Sequence, residues 1–501
     1  MRTAHLTLDP HFTVGAVNRR LFGSFVEHLG RCVYDGIYEP GHPTADADGF
    51  REDVIDLVRE LGVSTIRYPG GNFVSGFKWE DSVGPRTERP RRLDLAWHST
   101  ETNEVGLHEF ATWLGKVDSE LMLAVNLGTR GVQEALDLLE YSNVGGGTTL
   151  SEQRATNGTR DAFGVSMWCL GNEMDGPWQL GHRSAEDYGK LASQTAKAMR
   201  QLDPSVELVV CGSSSAHMPT FGLWERTVLE HTYEDVDYIS CHAYYEEKNG
   251  DLGSFLASAV DMDHFIESVV ATADHVKAVL GSSKSINISF DEWNVWYIDR
   301  YHEVDKIEGL DNWPVAPRLL EDKYSVADAV VFGSLLISLL NHSDRVTSAS
   351  LAQLVNVIAP IMTEPGGPAW RQTTFFPFAV TSRLAGGTAL RVKLTSDTYA
   401  TDVYGTVNLV DAAATIDGND TSVFVVNRSQ HEEITLTIDV SAVGSVSWAT
   451  AETLSDVDFA AANTLENPDR VGLSPNESVV VEGTTVTVTL PPVSWTAITL
   501  S

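Results

Sequence analysis

Two glutamates, each following a stretch typical of a β-strand, are the residues of this 501-residue chain best suited to acid–base chemistry. Glu173 ends the segment WCLGNE (168–173), and Glu292 lies in the segment SFDEWN (289–294). Cleavage of a glycosidic bond requires two facing carboxylates, one to protonate the leaving oxygen and one to attack or stabilise the cationic sugar carbon. Glu292 follows Glu173 by 119 positions, which matches three β/α units of about 40 residues, so a β/α barrel would bring both to one face.

Polar side chains suited to a sugar lie at or just after the ends of four other predicted strands. They are Glu27, Arg67, Asn72, His242, Tyr244 and Gln353. Taken singly, each has another explanation, since Gly70 and Gly71 could serve only to turn the chain and His242 could be a hydrogen-bonded core histidine. Together they predict a polar pocket at the carboxyl ends of the strands, where barrel enzymes carry their active sites.

Five tryptophans fall in the segments that follow these predicted strands. They are Trp79, Trp97, Trp178, Trp293 and Trp296. We expect them to lie near the pocket, because an aromatic plane can stack on a sugar ring, and ordinary core packing is the alternative for each.

Eight short β-branched or aromatic runs, separated by longer amphipathic stretches, must position these side chains. The predicted strands are 20–25, 64–68, 121–126, 164–170, 207–211, 238–241, 286–290 and 347–352, and the clearest helices are 185–202, 262–280, 326–340 and 375–385. Eight such units predict a (β/α)8 TIM barrel. A doubly wound dinucleotide-binding sheet is the rival, and no early strand is followed by its GxGxxG turn.

Beyond Gly386 the composition changes to a Thr-, Val- and Ala-rich chain with many turn signals. Residues 485–490 alternate threonine with an aliphatic residue, which is typical of a half-buried antiparallel strand. We therefore predict a C-terminal antiparallel, jelly-roll-like β-sandwich. The predicted domains are a barrel over 16–386 and a sandwich formed by 387–501 together with 1–15, in which strands 3–8 and 494–500 pair in one sheet.

Composition and charge exclude several classes of function. The net charge of -34 would repel nucleic acid, and no apolar run is long enough to cross a membrane. The N-terminus lacks the pattern of a secretory signal, and the four cysteines are too scattered for a disulfide framework or zinc ribbon, which predicts a cytoplasmic protein. No metal-ligand motif is present, so we expect neither a metal nor an organic cofactor.

The ordered motifs of the barrel resemble those of the glycoside hydrolase family 51 α-L-arabinofuranosidases. The motifs are LFGSFVEH (21–28), RYPGGNF (67–73), WCLGNEMDGPWQ (168–179), ISCHAYY (239–245), FDEWNVWY (290–297) and AQLVNVIAPIMTE (352–364). They cover the entire predicted barrel, whereas the C-terminal region carries no comparable motif.

The resemblance implies a retaining double displacement in which Glu292 is the nucleophile and Glu173 the general acid/base. It also implies that Asn172 bonds the sugar 2-hydroxyl and that Tyr244 bonds the nucleophile. The full set of implied substrate-binding residues is Glu27, Asn72, Trp97, Asn172, Tyr244, Trp296 and Gln353. Arg67 and His242 are expected to support this site, with the Arg67 charge keeping Glu292 ionised.

The sequence thus predicts an exo-acting α-L-arabinofuranosidase that releases terminal arabinofuranose from arabino-oligosaccharides. A retaining endo-β-glucanase or β-xylosidase on the same scaffold is the nearest alternative, because fold and catalytic pair do not fix the sugar. A non-catalytic carbohydrate-binding protein is the alternative from a different class. The resemblance further implies a homo-oligomer, specifically a hexamer.

Overall fold

The computed structural model describes residues 2–444 and 446–501, and its first unit is a closed barrel of eight parallel strands. The strands are Gly23–Phe25, Thr65–Tyr68, Glu120–Ala124, Met167–Leu170, Glu207–Val210, Tyr238–Tyr245, Asn287–Val295 and Val346–Ala352. Each predicted strand overlaps one of them. The predicted (β/α)8 barrel is therefore confirmed.

Three strands differ in extent from the prediction. Residues Arg19–Phe22 form a 3-10 turn, because the Asn18 side chain accepts a hydrogen bond from the Arg20 backbone N–H, and the first strand starts only at Gly23. Tyr238–Tyr245 and Asn287–Val295 continue well past their predicted ends. Both pass through register shifts, which re-aim side chains without ending the strand.

Eight main helices surround the barrel. They are Glu52–Leu61, Leu107–Val117, Val132–Asn143, Ala185–Leu202, Leu223–Thr232, Ala259–Leu280, Val326–Asn341 and Phe375–Leu384. Shorter helical segments are Asn72–Gly76, Trp79–Ser82, Arg86–Glu88, Thr149–Thr156, Leu252–Leu256, Ile298–Arg300 and Tyr301–Asp305. Within residues 2–444 and 446–501, no helix is both long enough and apolar enough to cross a membrane.

The second unit is a sandwich of two sheets. One sheet has the strand order Lys393–Thr395, Arg2–Thr7, Ile434–Asp439, Thr485–Leu490 and Val480–Glu482. The other has the order Thr13–Ala16, Thr388–Leu390, Val410–Asp417, Asp420–Asn427, Ser494–Leu500, Ala449–Leu454 and Leu473–Pro475. Three two-stranded pairs complete the fold: Arg92–Asp94 with Ser99–Glu101, Ile361–Thr363 with Ala369–Arg371, and Thr398–Thr401 with Gly405–Asn408.

The N-terminal strand Arg2–Thr7 joins the sandwich, but not where we predicted. It pairs in parallel with Ile434–Asp439, so the sandwich is antiparallel except at this pair. Pairing with Ser494–Leu500 is wrong, because both edges of that strand are already occupied, by Asp420–Asn427 and by Ala449–Leu454. The two strands instead face each other across the core, to which Leu6 and Ile498 both contribute.

The helix Val326–Asn341 joins the two units. All its residues from 326 to 340 are buried, as expected for a helix that is apolar on every side. It contacts the sandwich strands Val410–Asp417, Asp420–Asn427 and Ser494–Leu500. Trp495 from the last of these belongs to the same apolar core as the barrel residues, so one core extends through both units.

Gly333 on this helix allows Trp495 to approach. A Cβ atom at Gly333 would lie 2.2 Å from Trp495 Cδ1, so Gly333→Ala forces the indole or the helix to move. We expect a cost of about 1–3 kcal/mol, visible as a lower thermal unfolding midpoint. Gly115→Ala is the matched control, because Gly115 lies on an exposed helix surface with nothing within 4 Å of the added atom. The control should be neutral or stabilising, and equal midpoints for both variants would contradict this packing.

Candidate active site

Arg67 lies near the carboxyl end of the barrel strand Thr65–Tyr68 and is buried. Its Nη1 donates to Glu292 Oε1 at 2.8 Å, and its Nη2 donates to Asn172 Oδ1 at 2.6 Å. Its Nε lies 3.7 Å from a carboxylate oxygen of Asp291. A buried guanidinium is tolerated only with such partners, and these join strands that are distant in sequence.

Glu292 is buried within strand Asn287–Val295, so it does not follow the strand as predicted. Tyr244, which also lies inside a strand, donates its hydroxyl to Glu292 Oε2 at 2.7 Å. Burial alone would raise the pKa of Glu292, but the charges of His242 and Arg67 and the hydrogen bonds from Tyr244 and Arg67 bring it below its ordinary value. Glu292 is therefore ionised at neutral pH.

Glu173 follows strand Met167–Leu170 in an unusual backbone conformation, with φ of 42°. A positive φ is costly for a residue with a Cβ and persists only where neighbours fix it. Two neighbours hold the carboxylate: Trp178 Nε1 donates to Oε2 at 2.6 Å, and His242 Nδ1 lies 2.9 Å from Oε1. The side chain of Glu173 is thus pointed at the same histidine that Glu292 approaches.

His242 lies between the two glutamates, and its Nδ1 is also 3.5 Å from Glu292 Oε2. Burial lowers the pKa of His242, but the Glu292 charge and the hydrogen bond and charge of Glu173 raise it above its ordinary value overall. Single donor atoms of these three residues lie within 4.8 Å of one another. Among the residues described, this is the group that could hold a metal ion.

Asn172, next to Glu173 in sequence, faces the same space. Its Nδ2 donates to Asn72 Oδ1 at 3.4 Å and to Gln179 Oε1 at 3.3 Å, and Gln179 is in turn bonded to Ser75. Our interpretation of the sequence did not assign Gln179 or Ser75, although Gln179 ends the WCLGNEMDGPWQ motif.

Glu27 forms the opposite wall, just after the first barrel strand. Its Oε1 accepts hydrogen bonds from Phe73 N and Trp97 Nε1, both at 2.8 Å, and its Oε2 accepts from Gln353 Nε2 at 3.1 Å. Burial raises the pKa of Glu27 well above its ordinary value, despite these hydrogen bonds. Gly71 is required here rather than merely turning the chain, because a Cβ atom would lie 2.3 Å from the Glu27 carboxyl group at a φ of +55°.

The five tryptophans separate into two groups. Trp97 bonds Glu27, Trp296 packs edge-on against Tyr244 with ring centroids 5.0 Å apart, and Trp178 is half exposed beside Glu173. The prediction is wrong for Trp79, which packs against Tyr141, and for Trp293, which is fully buried against Phe332. These two residues belong to the core because the surrounding helices cover them.

Two family models match consecutive parts of this chain. Residues 57–284 match the family model described as Alpha-L-arabinofuranosidase 1 domain, and residues 291–494 match the Alpha-L-arabinofuranosidase C-terminal domain.

Two curated relatives are similar over nearly the whole chain. The exo-alpha-(1->6)-L-arabinofuranosidase of Bifidobacterium longum is 62% identical over 99% of this chain and 97% of its own length. The intracellular exo-alpha-(1->5)-L-arabinofuranosidase of Streptomyces lividans is 61% identical over 99% of this chain and 75% of its own length. A solved family 51 α-L-arabinofuranosidase from Bifidobacterium longum superimposes with a TM-score of 0.96, at 50% identity and full coverage of both chains.

The raised pKa of His242 makes a prediction about stability. A group whose pKa is higher in the folded than in the unfolded state stabilises the fold at pH values below its unfolded pKa, and that contribution is lost as pH rises through the folded pKa. The thermal unfolding midpoint of His242→Gln should therefore fall further below that of the natural protein at pH 5.5 than at pH 9. A gap that widens at high pH would contradict a protonated His242.

Proposed function

This chain belongs to glycoside hydrolase family 51, the α-L-arabinofuranosidases, and we propose that it releases single terminal arabinofuranose units with retention of configuration. The observation that carries the proposal is the pair Glu173 and Glu292, whose nearest oxygens lie within 4.8 Å of each other and of a His242 nitrogen. Retaining enzymes need carboxyl groups about 5–5.5 Å apart, whereas inverting enzymes need roughly 6.5–9.5 Å to admit a water molecule.

In the first proposed step, Glu292 attacks the anomeric carbon of the terminal arabinofuranose. The hydrogen bonds of Arg67 and Tyr244 keep its carboxylate ionised and aimed, as the lowered pKa of Glu292 indicates. Glu173 gives its proton to the departing glycosidic oxygen. The products are a free aglycone alcohol and an arabinosyl ester of Glu292.

In the second proposed step, the now ionised Glu173 takes a proton from a water molecule on the side that the aglycone has left. That water attacks the anomeric carbon and breaks the ester bond to Glu292, which returns both carboxyl groups to their starting states. Two inversions give net retention. His242, which contacts both carboxylates, is proposed to offset the shift of negative charge between them.

Hydrogen-bonding groups around the pair support a pocket for one sugar. We propose that Asn172 bonds the 2-hydroxyl and that the remaining hydroxyls are bonded by Glu27, Asn72 and Gln353. Trp97 and Trp296 would shape the pocket walls. A site lined by buried polar groups rejects sugars that leave those groups unpaired, which favours exo-cleavage of one sugar type over endo-cleavage of a glucan.

Location and assembly stay predictions. Relatives in Streptomyces lividans, Bacillus subtilis and Bifidobacterium longum are named intracellular enzymes, which supports a cytoplasmic location for this chain. The hexamer rests on the resemblance alone, and sedimentation equilibrium would measure it.

A substrate panel tests the proposed function. We expect rapid hydrolysis of 4-nitrophenyl α-L-arabinofuranoside and at least about a hundredfold lower kcat/KM on the β-D-xylopyranoside, because the polar lining would be left unpaired. Defined α-(1→5)- and α-(1→6)-linked arabinosides should both be included, since the relatives at 61% and 62% identity differ in this linkage by name. Arabinose should appear without intermediate fragments. Endolytic cleavage of a β-glucan with no furanoside hydrolysis would overturn the proposal.

Substitution of each glutamate tests the assigned roles. Glu173→Ala should slow hydrolysis of natural linkages by about 10²–10⁴-fold, while the ester-forming step with a nitrophenyl leaving group survives. Azide should then restore turnover and yield α-L-arabinofuranosyl azide, because it attacks the ester from the side of the missing carboxylate. Glu292→Ala should form no ester and no α-azide.

The surface variant Glu186→Ala is the control, since Glu186 is exposed on the helix Ala185–Leu202 and pairs with Lys190 and His231, neither of which is assigned to the pocket. It should retain normal activity. An α-azide product from Glu292→Ala, or none from Glu173→Ala, would reverse or refute the two roles.

A further inference from the structure

Trp97 is carried by the turn of a short hairpin whose strands are Arg92–Asp94 and Ser99–Glu101. The indole crosses from this turn to Glu27, where its Nε1 donates at 2.8 Å. The position of the Glu27 carboxyl group therefore depends on the backbone of a surface hairpin, which lies outside the barrel strands. The hydrogen bond to Glu27 therefore requires that the backbone of the Trp97 turn be fixed.

Asp94 at the start of the turn makes two contacts that fix this backbone. Its Oδ1 accepts a hydrogen bond from Ala96 N at 3.1 Å, and its Oδ2 accepts from Trp97 N at 3.0 Å. The carboxyl group is buried, with only 7% of Asp94 exposed. Both oxygens are thus used to fix consecutive amides of the turn, which is how an aspartate sets local backbone conformation.

The outer side of the hairpin is held independently of Asp94. Thr100 N donates to Pro314 O at 2.9 Å, and the His98 ring stacks on Trp313 with centroids 3.7 Å apart. Asp94 is one of the residues that line a cavity of about 240 Å³, together with Phe73, Phe77 and Leu180. Truncation of Asp94 to alanine therefore leaves the contacts of Thr100 and His98 in place, and the hairpin stays attached.

We propose that Asp94 is a positioning residue for substrate binding, which fixes the Trp97 backbone so that the indole N–H holds Glu27 against the sugar. Without Asp94, the turn gains freedom and Glu27 Oε1 keeps only the hydrogen bond from Phe73 N. This inference rests on the proposed function, because it uses Glu27 as a ligand of a sugar hydroxyl. It assigns Asp94 no contact with the substrate.

A double-mutant cycle on 4-nitrophenyl α-L-arabinofuranoside tests the proposal. Asp94→Ala should raise KM about tenfold or more, with kcat changed much less, because a hydroxyl contact made in both ground and transition states is weakened. Trp97→Phe, which removes the indole N–H, should cause a similar loss. Because both changes break the same chain of contacts, the KM of the double variant should be no higher than that of the single variant with the higher KM.

Asp81→Ala is the matched control. Asp81 lines the same cavity and binds Arg92 Nε on the same hairpin at 2.7 Å, but it makes no contact with the Trp97 turn. Its KM should stay within about twofold of the natural value, as expected for a surface ion pair. The proposal would be overturned if the increases in KM multiply in the double variant, or if Asp81→Ala raises KM as much as Asp94→Ala does. It would also be overturned if Asp94→Ala lowers kcat and leaves KM unchanged. An inactive natural protein would instead refute the proposed function.

Discussion

The ion pair between Arg67 and Glu292, both buried, is the interaction on which the rest of the site depends. Burying charges is unfavourable unless their hydrogen-bonding capacity is used, and loss of one partner typically costs about 3–5 kcal/mol. The surrounding residues meet this demand. Tyr244 and His242 approach the second oxygen of Glu292, and Asn172 takes the other end of the guanidinium. The arrangement that keeps Glu292 ionised is thus the one that makes the fold locally stable.

The barrel places the side chains of the site directly, whereas the sandwich supports the site only through other elements. The strands deliver Arg67, His242 and Glu292 directly, whereas the loops and the hairpin deliver Trp178 and Trp97. The sandwich acts further away, by covering the helix Val326–Asn341 that links the strand of Glu292 to the last strand of the barrel. Its packing through Trp495 therefore supports the part of the barrel that carries the proposed nucleophile.

Sequence periodicity was sufficient to predict the barrel, since each of the eight strands and four of the helices between them have a local pattern of their own. Edge pairing was not predictable for Arg2–Thr7, because the choice between two sheets depends on which edge is free after the C-terminal strands have paired. The register shifts that put His242 opposite Glu292 likewise leave no local pattern. Trp293 follows Glu292 directly in the sequence, as a pocket residue could. Only its packing against Phe332 in the structure shows that it belongs to the core. The polar residues that the motifs identified nevertheless lie together at the carboxyl-terminal face of the barrel.

The central claim is that Glu292 and Glu173 act as a retaining pair, and the stereochemistry of the product tests it most directly. Proton NMR of the reaction with 4-nitrophenyl α-L-arabinofuranoside in the presence of methanol would follow the configuration of the first product before it equilibrates. A double displacement predicts α-L-arabinofuranose, accompanied by methyl α-L-arabinofuranoside from capture of the ester by methanol. Initial formation of the β-anomer, without methyl α-glycoside, would contradict the account.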